Sequence, residues 1–245
     1  CDAKGIAAAM ICAAMALLKK GVTDVGLLFV VGEETDSVGA TKAVELDLRC
    51  AFIIDGEPTD NTLVVAHKGV VSFQILTNGV AAHSAYPEAG ESAIDKLIEI
   101  LGNLRESQFP HDPTLGATSL NIGKISGGIA TNVLADCAQA DVLMRTVCES
   151  ERYFKILAEV VEERGRLKLL KKSEPQIMES VEGFLTKVVG YGTDIPILRS
   201  LGTPLLFGPG SIFEAHKARE KILKKELHEG VELYQRLVQE LRSRS

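Results

Sequence analysis

The stretch Leu27 to Ala40, LLFVVGEETDSVGA, decides how the rest of the chain is read. Five apolar residues, Leu27 to Val31, make a run short enough for a buried strand, and Gly32 ends it. Glu33 and Glu34 follow at once, ahead of a helix expected from Val38. Carboxylates just past the C-terminal end of a parallel strand stand where open α/β sheets bind their ligands. Two such neighbours repel each other unless a cation or a shared proton compensates, so one can bind a metal while the other serves as a base. The plainer alternative is a solvated acidic turn in which Thr35, Asp36 or Ser37 caps the next helix. The other strand ends decide between them.

Working outward, 245 residues are enough for one large or two smaller domains with a sizeable core. A formal net charge of −6, a pI near 5.5 and the lack of a basic run argue against nucleic acid or an anionic membrane as partner. A small soluble substrate fits better. The run Ile6 to Leu18 is too short to span a bilayer and reads as a buried helix. Cys1, Cys12, Cys50, Cys137 and Cys148 lack CxxC spacing, which suggests a reducing cytoplasm and no thiolate metal site. The chain opens without methionine or signal peptide and is expected to be the middle of a longer protein.

Asp2 precedes a helix expected over Ala3 to Lys20 and would serve there as an N-cap if it had no other role. A second apolar run, Ala51 to Ile54, ends in Asp55-Gly56-Glu57-Pro58-Thr59, so Glu57 also falls beyond a strand. Pro58 stops that strand and holds Glu57 extended. Beyond Asn61 the periodicity changes. Strands over Gly69 to Thr77, Ala117 to Ile125, Ala138 to Val147 and Arg166 to Leu170, with helices over Glu91 to Arg105 and Glu151 to Arg164, give the order β-α-β-β-α-β. That is a split βαβ, ferredoxin-like unit, placed at residues 66–174 between two parts of an α/β domain, 1–65 and 175–245. The first pattern then returns with a strand over Pro204 to Phe207, Gly208-Pro209-Gly210, and His216 a few residues later. The final helix, Lys221 to Leu241, covers the sheet.

Asp2, Glu34, Glu57 and His216 offer oxygen and imidazole ligands without thiolates, the mixture suited to catalytic zinc, or to cobalt or manganese in its place. Glu33 remains as a base. Two metals with a bridging carboxylate could activate water and polarise a carbonyl, which suffices to hydrolyse an amide.

These residues resemble the dinuclear metallohydrolases that include acetylornithine deacetylase, succinyl-diaminopimelate desuccinylase, aminoacylase and carboxypeptidase G. CDAKG matches the family's D-x-K-G, GEETDSVGA its E-E-x-x-x-x-G-A, GEPT its E-P-[ST], HSAYPEAG its H-S-x-x-P-x-x-G, and GGIATNV its G-G-x-x-x-N-V. FGPG with AHKARE matches its G-P-G and closing histidine block. The resemblance implies a mostly parallel sheet flanked by helices, with the inserted α+β domain acting as lid and homodimer contact. It implies two zinc ions, Asp2 bridging them, Glu34 and Glu57 each binding one, His216 completing the second, and Glu33 as general base. It further implies that His83 stabilises the oxyanion, often from the partner subunit. Asn132 and Arg145 would hold the substrate's carboxylate, with Gly208 and Gly210 shaping the loop beside it. For His83 a surface turn is the alternative, and for Asn132 and Arg145 a turn amide and a strand charge. His67, His111 and His228 match no motif and are expected at the surface.

The family also carries an H-x-D motif ahead of the bridging aspartate, and nothing precedes Cys1, so this chain alone is expected to be inactive. Gly32, Ala135 and Leu143 stand where the family usually has an acidic residue, a proline and an aspartate. The expected activity is hydrolysis of an amide in a small N-acyl amino acid or peptide, acetylornithine deacetylase-like. The alternatives are a carboxypeptidase or dipeptidase of the same family, or a non-catalytic fragment that keeps the fold for dimerisation.

Overall fold

The computed structural model describes residues 1–244. It divides into two compact units, Cys1–His67 with Gln176–Val189 and Thr193–Ser245, and Lys68–Pro175 with Gly190–Gly192. In chain order the first unit opens with α1 (Lys4–Lys19), α2 (Val38–Val44), β1 (Phe52–Asp55) and β2 (Leu63–His67). The second holds β3 (Gly69–Asn78), α3 (Ala93–Glu106), β4 (His111–Asp112), β5 (Gly116–Ala117), β6 (Ser119–Gly127), β7 (Cys137–Thr146), α4 (Ser150–Val161) and β8 (Arg166–Ser173). The first then resumes with β9 (Gln176–Ile177), β10 (Thr186–Val189), α5 (Ile195–Leu198), β11 (Thr203–Leu206) and α6 (Lys224–Arg242).

In the first unit the sheet runs β1-β11-β2-β10, with β9 also on β2. β1 with β11 and β2 with β10 are parallel, while β11 and β9 meet β2 antiparallel, so the sheet is mixed. α1 buries Ile6, Ala9, Ala13 and Leu17, one stripe at spacings of three and four. These alanines let the helix sit close in a core with Leu63, Leu205, Phe207, Tyr234 and Leu237. α1 is not buried all round, however: Ile11, Met15 and Leu18 are exposed. The run Leu27 to Val31 differs more sharply from expectation, for it forms no strand. No strand among the described residues pairs with it, and Phe29 and Val31 are 60% and 70% exposed. Only Val30 packs, against the cluster of Ala40, Ala43, Leu198 and Leu201.

In the second unit β6-β7-β3-β8 form an antiparallel sheet. Period-two alternation sends Val71, Phe73, Ile75, Ala138, Ala140, Val142 and Met144 to one face. There they meet Leu97, Ile100, Leu101 and Leu104 of α3 and Tyr153, Leu157 and Val161 of α4. Ser92 caps α3 by accepting from Asp95 N at 3.2 Å. The strands over Gly69 to Thr77 and Ala138 to Val147, which the sequence leads one to expect at the exposed edge through which the unit dimerises, are β3 and β7, the two central strands. The edges are β6 and β8. Among the described residues no helix is long and apolar enough to cross a membrane.

Candidate metal centre

The site in the first unit is built from turns and loops. Gly32 sits at φ +84°, a left-handed conformation that a side chain disfavours, and its carbonyl accepts from Thr35, Asp36 and Ser37. Asp36 Oδ1 then accepts from Val38 N at 3.2 Å at the start of α2. Asp36 thus holds the start of α2, whose N-cap, Ser37, makes no side-chain capping bond, and neither Glu33 nor Glu34 is at the cap. Asp2 is not an N-cap either, since α1 has Ala3 at that position and no side-chain cap.

Asp2, Glu34 and His216 instead converge, each offering a ligand atom, all within 4.8 Å of one another. His216 Nε2 lies 2.7 Å from Glu34 Oε1 and 3.5 Å from Asp2 Oδ2. His216 is held at φ +58°, a left-handed conformation that histidine adopts more readily than most residues. Its hydrogen bond to Glu34, and then that carboxylate's charge, raise its pKa. Burial, then Glu34, raises that of Asp2.

Glu57 stands outside this group of three but belongs to the same field. It is buried, and burial, Asp55, Glu33, Asp2 and Glu34, in that order, push its carboxyl up to about 10. A carboxyl with such a pKa is protonated near neutral pH unless a cation shares the site. Glu33 is half-buried and close enough to raise both Glu57 and Asp55. Two carboxylates and an imidazole that converge, with Glu57 and Glu33 in the same field, offer oxygen and nitrogen donors without sulfur, a set that fits a divalent ion of the zinc type.

Gly208 and Gly210 lie in a buried loop that braces the Glu57 turn. Gly208 O accepts from Thr59 N, Thr59 Oγ1 and Asn61 N at 3.2, 3.1 and 3.0 Å, and Gly210 O accepts from Asp60 N at 2.7 Å. Gly208 N donates in return to Thr59 Oγ1 at 2.9 Å. The two glycines therefore position a carboxylate through backbone bonds.

His83, Asn132 and Arg145 belong to the second unit. His83 and Asn132 are brought together, for Ser84 N donates to Asn132 O at 3.0 Å and His83 bridges Val133. Both side chains are exposed. His83 Nδ1 accepts from Ala85 N at 3.1 Å, so the neutral ring carries its hydrogen on Nε2. Arg145, on β7, is half-buried, and burial lowers its pKa.

Several polar residues near the first-unit site escaped the sequence reading. His67 is buried and not at the surface, with Nε2 3.4 Å from Thr193 Oγ1. Asp55 lies behind Glu57, its carboxyl raised to about 7 by burial, Asp194 and Glu33. Asp194 is 2% exposed, and neither of its oxygens has a hydrogen-bond partner. The signal was available in Asp55-Gly56-Glu57 and Gly192-Thr193-Asp194, two acidic turns in the same part of the unit, but each alone reads as a loop.

Residues 65–166 match a family described as the peptidase dimerisation domain. A peptidase M20 domain-containing protein of Schizosaccharomyces pombe is 40% identical over 97% of this chain and 61% of its own length. A protein of Aspergillus fumigatus named a probable carboxypeptidase is 36% identical over all of this chain and 62% of its own length. The chain thus spans about three fifths of these curated relatives. Among solved structures, an aminopeptidase PepT of Bacillus cereus superposes with a TM-score of 0.76 at 22% identity, over 98% of this chain and 70% of that one. A tripeptidase of Staphylococcus aureus gives 0.79 at 20%, over 96% and 69%. At these identities the two superpositions speak for the fold.

Proposed function

We propose that this chain belongs to the M20 peptidase family and that the protein it comes from is a metal-dependent peptidase that releases a terminal residue from a small peptide. The observation that carries this is the convergence of Asp2, Glu34 and His216 within 4.8 Å beside Glu33. The names of the relatives, carboxypeptidase foremost, favour a peptide over acetylornithine as substrate. Asp2, Glu34, Glu57 and His216 would hold two zinc ions, with Asp2 shared. When bound, such ions polarise the carbonyl and bring the pKa of water towards neutral. Glu33 takes the proton of the attacking water and returns it to the departing amine. Asn132 and Arg145 hold the substrate's carboxylate. All five cysteines are unbridged, which supports a reducing compartment such as the cytoplasm.

His83 donates from Nε2 to the oxyanion as it forms. His83→Ala is expected to lower kcat by about 10²- to 10³-fold with zinc content unchanged. Turnover at the parent rate would remove the residue from catalysis.

The protein assembles as a homodimer through β6. Edge β8 carries Arg166, Lys168, Lys171 and Lys172, and such charges guard an edge against pairing, whereas β6 carries only Lys124. Sedimentation is expected to give a dimer at micromolar concentration, and a lysine at Asn121 to shift it towards monomer. A monomeric parent would refute the assembly.

The function itself is tested by rates for the zinc-loaded, full-length protein on dipeptides, longer peptides with a free C-terminus, acetylornithine and succinyl-diaminopimelate. Peptides are expected to be the best substrates. A preference for acetylornithine would return the deacylase reading, and no hydrolysis of any would leave a non-catalytic relative.

A further inference from the structure

The sheet of the second unit has one face covered by α3 and α4 and one that these helices leave open. Register places Ser119, Arg145, Val70 and Ser173 in one row of the open face. Next come Asn121, Leu143, Ser72 and Lys171, then Lys124, Asp141, Gln74 and Lys168. The last row is Ser126, Gln139, Leu76 and Arg166. Five cations therefore share the face with one carboxylate, Asp141, whose Oδ1 already accepts from Gln74 Nε2 at 2.7 Å. None of Lys124, Arg145, Arg166, Lys168 or Lys171 makes an ion pair among the described residues. This concentration of positive charge sits in a chain of net charge −6.

Its spacing is as informative as its sign. Lys171, Lys168 and Arg166 oppose Ser72, Gln74 and Leu76, positions two residues or about 7 Å apart on β3, with β8 taking up one extra residue at an irregularity between Lys171 and Leu169. Alternate side chains of an extended peptide have that same repeat. Guarding β8 against strand pairing would account for its own lysines, but Arg145 and Lys124 lie on other strands. Arg145 is moreover half-buried, and a desolvated guanidinium without a carboxylate partner is a standing demand for an anion.

We propose that this open face is a docking surface for extended acidic peptides, Lys171, Lys168 and Arg166 taking Asp or Glu side chains beyond the carboxylate already assigned to Arg145. This deepens the peptidase reading and rests on it for the assignment of that peptide as substrate. The selectivity comes from charge and repeat, and it falls with salt as the Debye length shortens from about 10 Å at 0.1 M to about 3 Å at 1 M.

The test is fluorescence anisotropy of a labelled Glu-Ala repeat hexapeptide and its Gln-Ala counterpart, on the whole chain carrying Glu33→Gln so that peptide is not consumed. The Glu peptide is expected to bind at least tenfold more tightly. Arg166→Gln, Lys168→Gln and Lys171→Gln combined should erase about tenfold, since each exposed pair is worth a factor of about two. The charge-retaining set Arg166→Lys, Lys168→Arg and Lys171→Arg should keep the preference and guards against misfolding of the first set. Equal binding of the two peptides, or an unchanged preference in the neutralised variant, overturns the proposal. So does tighter binding of a single-stranded oligonucleotide of equal charge. Because binding is read without turnover, a preference for the Glu peptide here, together with no hydrolysis by the zinc-loaded, full-length parent, would sink the peptidase reading and still support the face.

Discussion

Glu33→Gln is expected to lower kcat by about 10²- to 10⁴-fold and to leave zinc content at the parent level. The amide keeps the shape of the side chain and loses the lone pair that takes a proton from water. Glu34→Gln, one residue on, is expected to do the opposite first and lose metal, because Glu34 Oε1 is among the atoms that converge with Asp2 and His216. Neighbours in sequence are thus assigned different work by where the turn after Gly32 sends them. Glu33 is half-buried towards Asp55 and Glu57, and Glu34 is exposed towards His216. Zinc analysis with steady-state rates on both variants checks the division, and equal metal loss in both would show the pair misassigned.

Gly39→Val is expected to destabilise the first unit by about 3 kcal/mol, the upper end of overpacking, and to reduce zinc binding with it. Gly39 N donates to Val31 O at 2.9 Å, and a Cβ at residue 39 would run into the backbone N and O of Val31. Those atoms are not the tip of a flexible side chain. Relieving the clash must move the segment that leads directly into Gly32, Glu33 and Glu34, or tilt α2 away from Leu198 and Leu201. Thermal denaturation and zinc content measured together check this. A variant with parent stability and parent metal would mean that α2 does not set the carboxylates.

What the sequence could and could not convey follows from the range of each signal. The β-α-β-β-α-β order of the second unit is legible because each element carries its own period, as in the buried Val71, Phe73 and Ile75 or the Leu97, Leu101 and Leu104 stripe. Strand order is not local. Nothing in Gly69 to Asn78 says that it lies between β7 and β8 and not at an edge. Leu27 to Val31 has the composition of a buried strand, but burial depends on neighbours, and no strand among the described residues pairs with it. His67 shows the converse, a histidine without a motif that is buried beside Thr193 because residues 126 apart meet. The candidate ligands are readable from residue types and expected strand ends, although the strand expected before Glu33 and Glu34 is not one, since Leu27 to Val31 forms none. How closely they converge is not readable there, since the approach of Asp2 to His216 depends on loops such as 208–216, whose course carries no period.

Zinc binding by this chain tests the central claim most directly. Equilibrium dialysis of the parent, Glu33→Gln and His216→Ala against micromolar zinc reads the centre without any need for turnover. Zinc is expected to bind the parent and Glu33→Gln, with most of it lost in His216→Ala. A parent that holds no zinc, or a His216→Ala variant that holds as much as the parent, would contradict that claim.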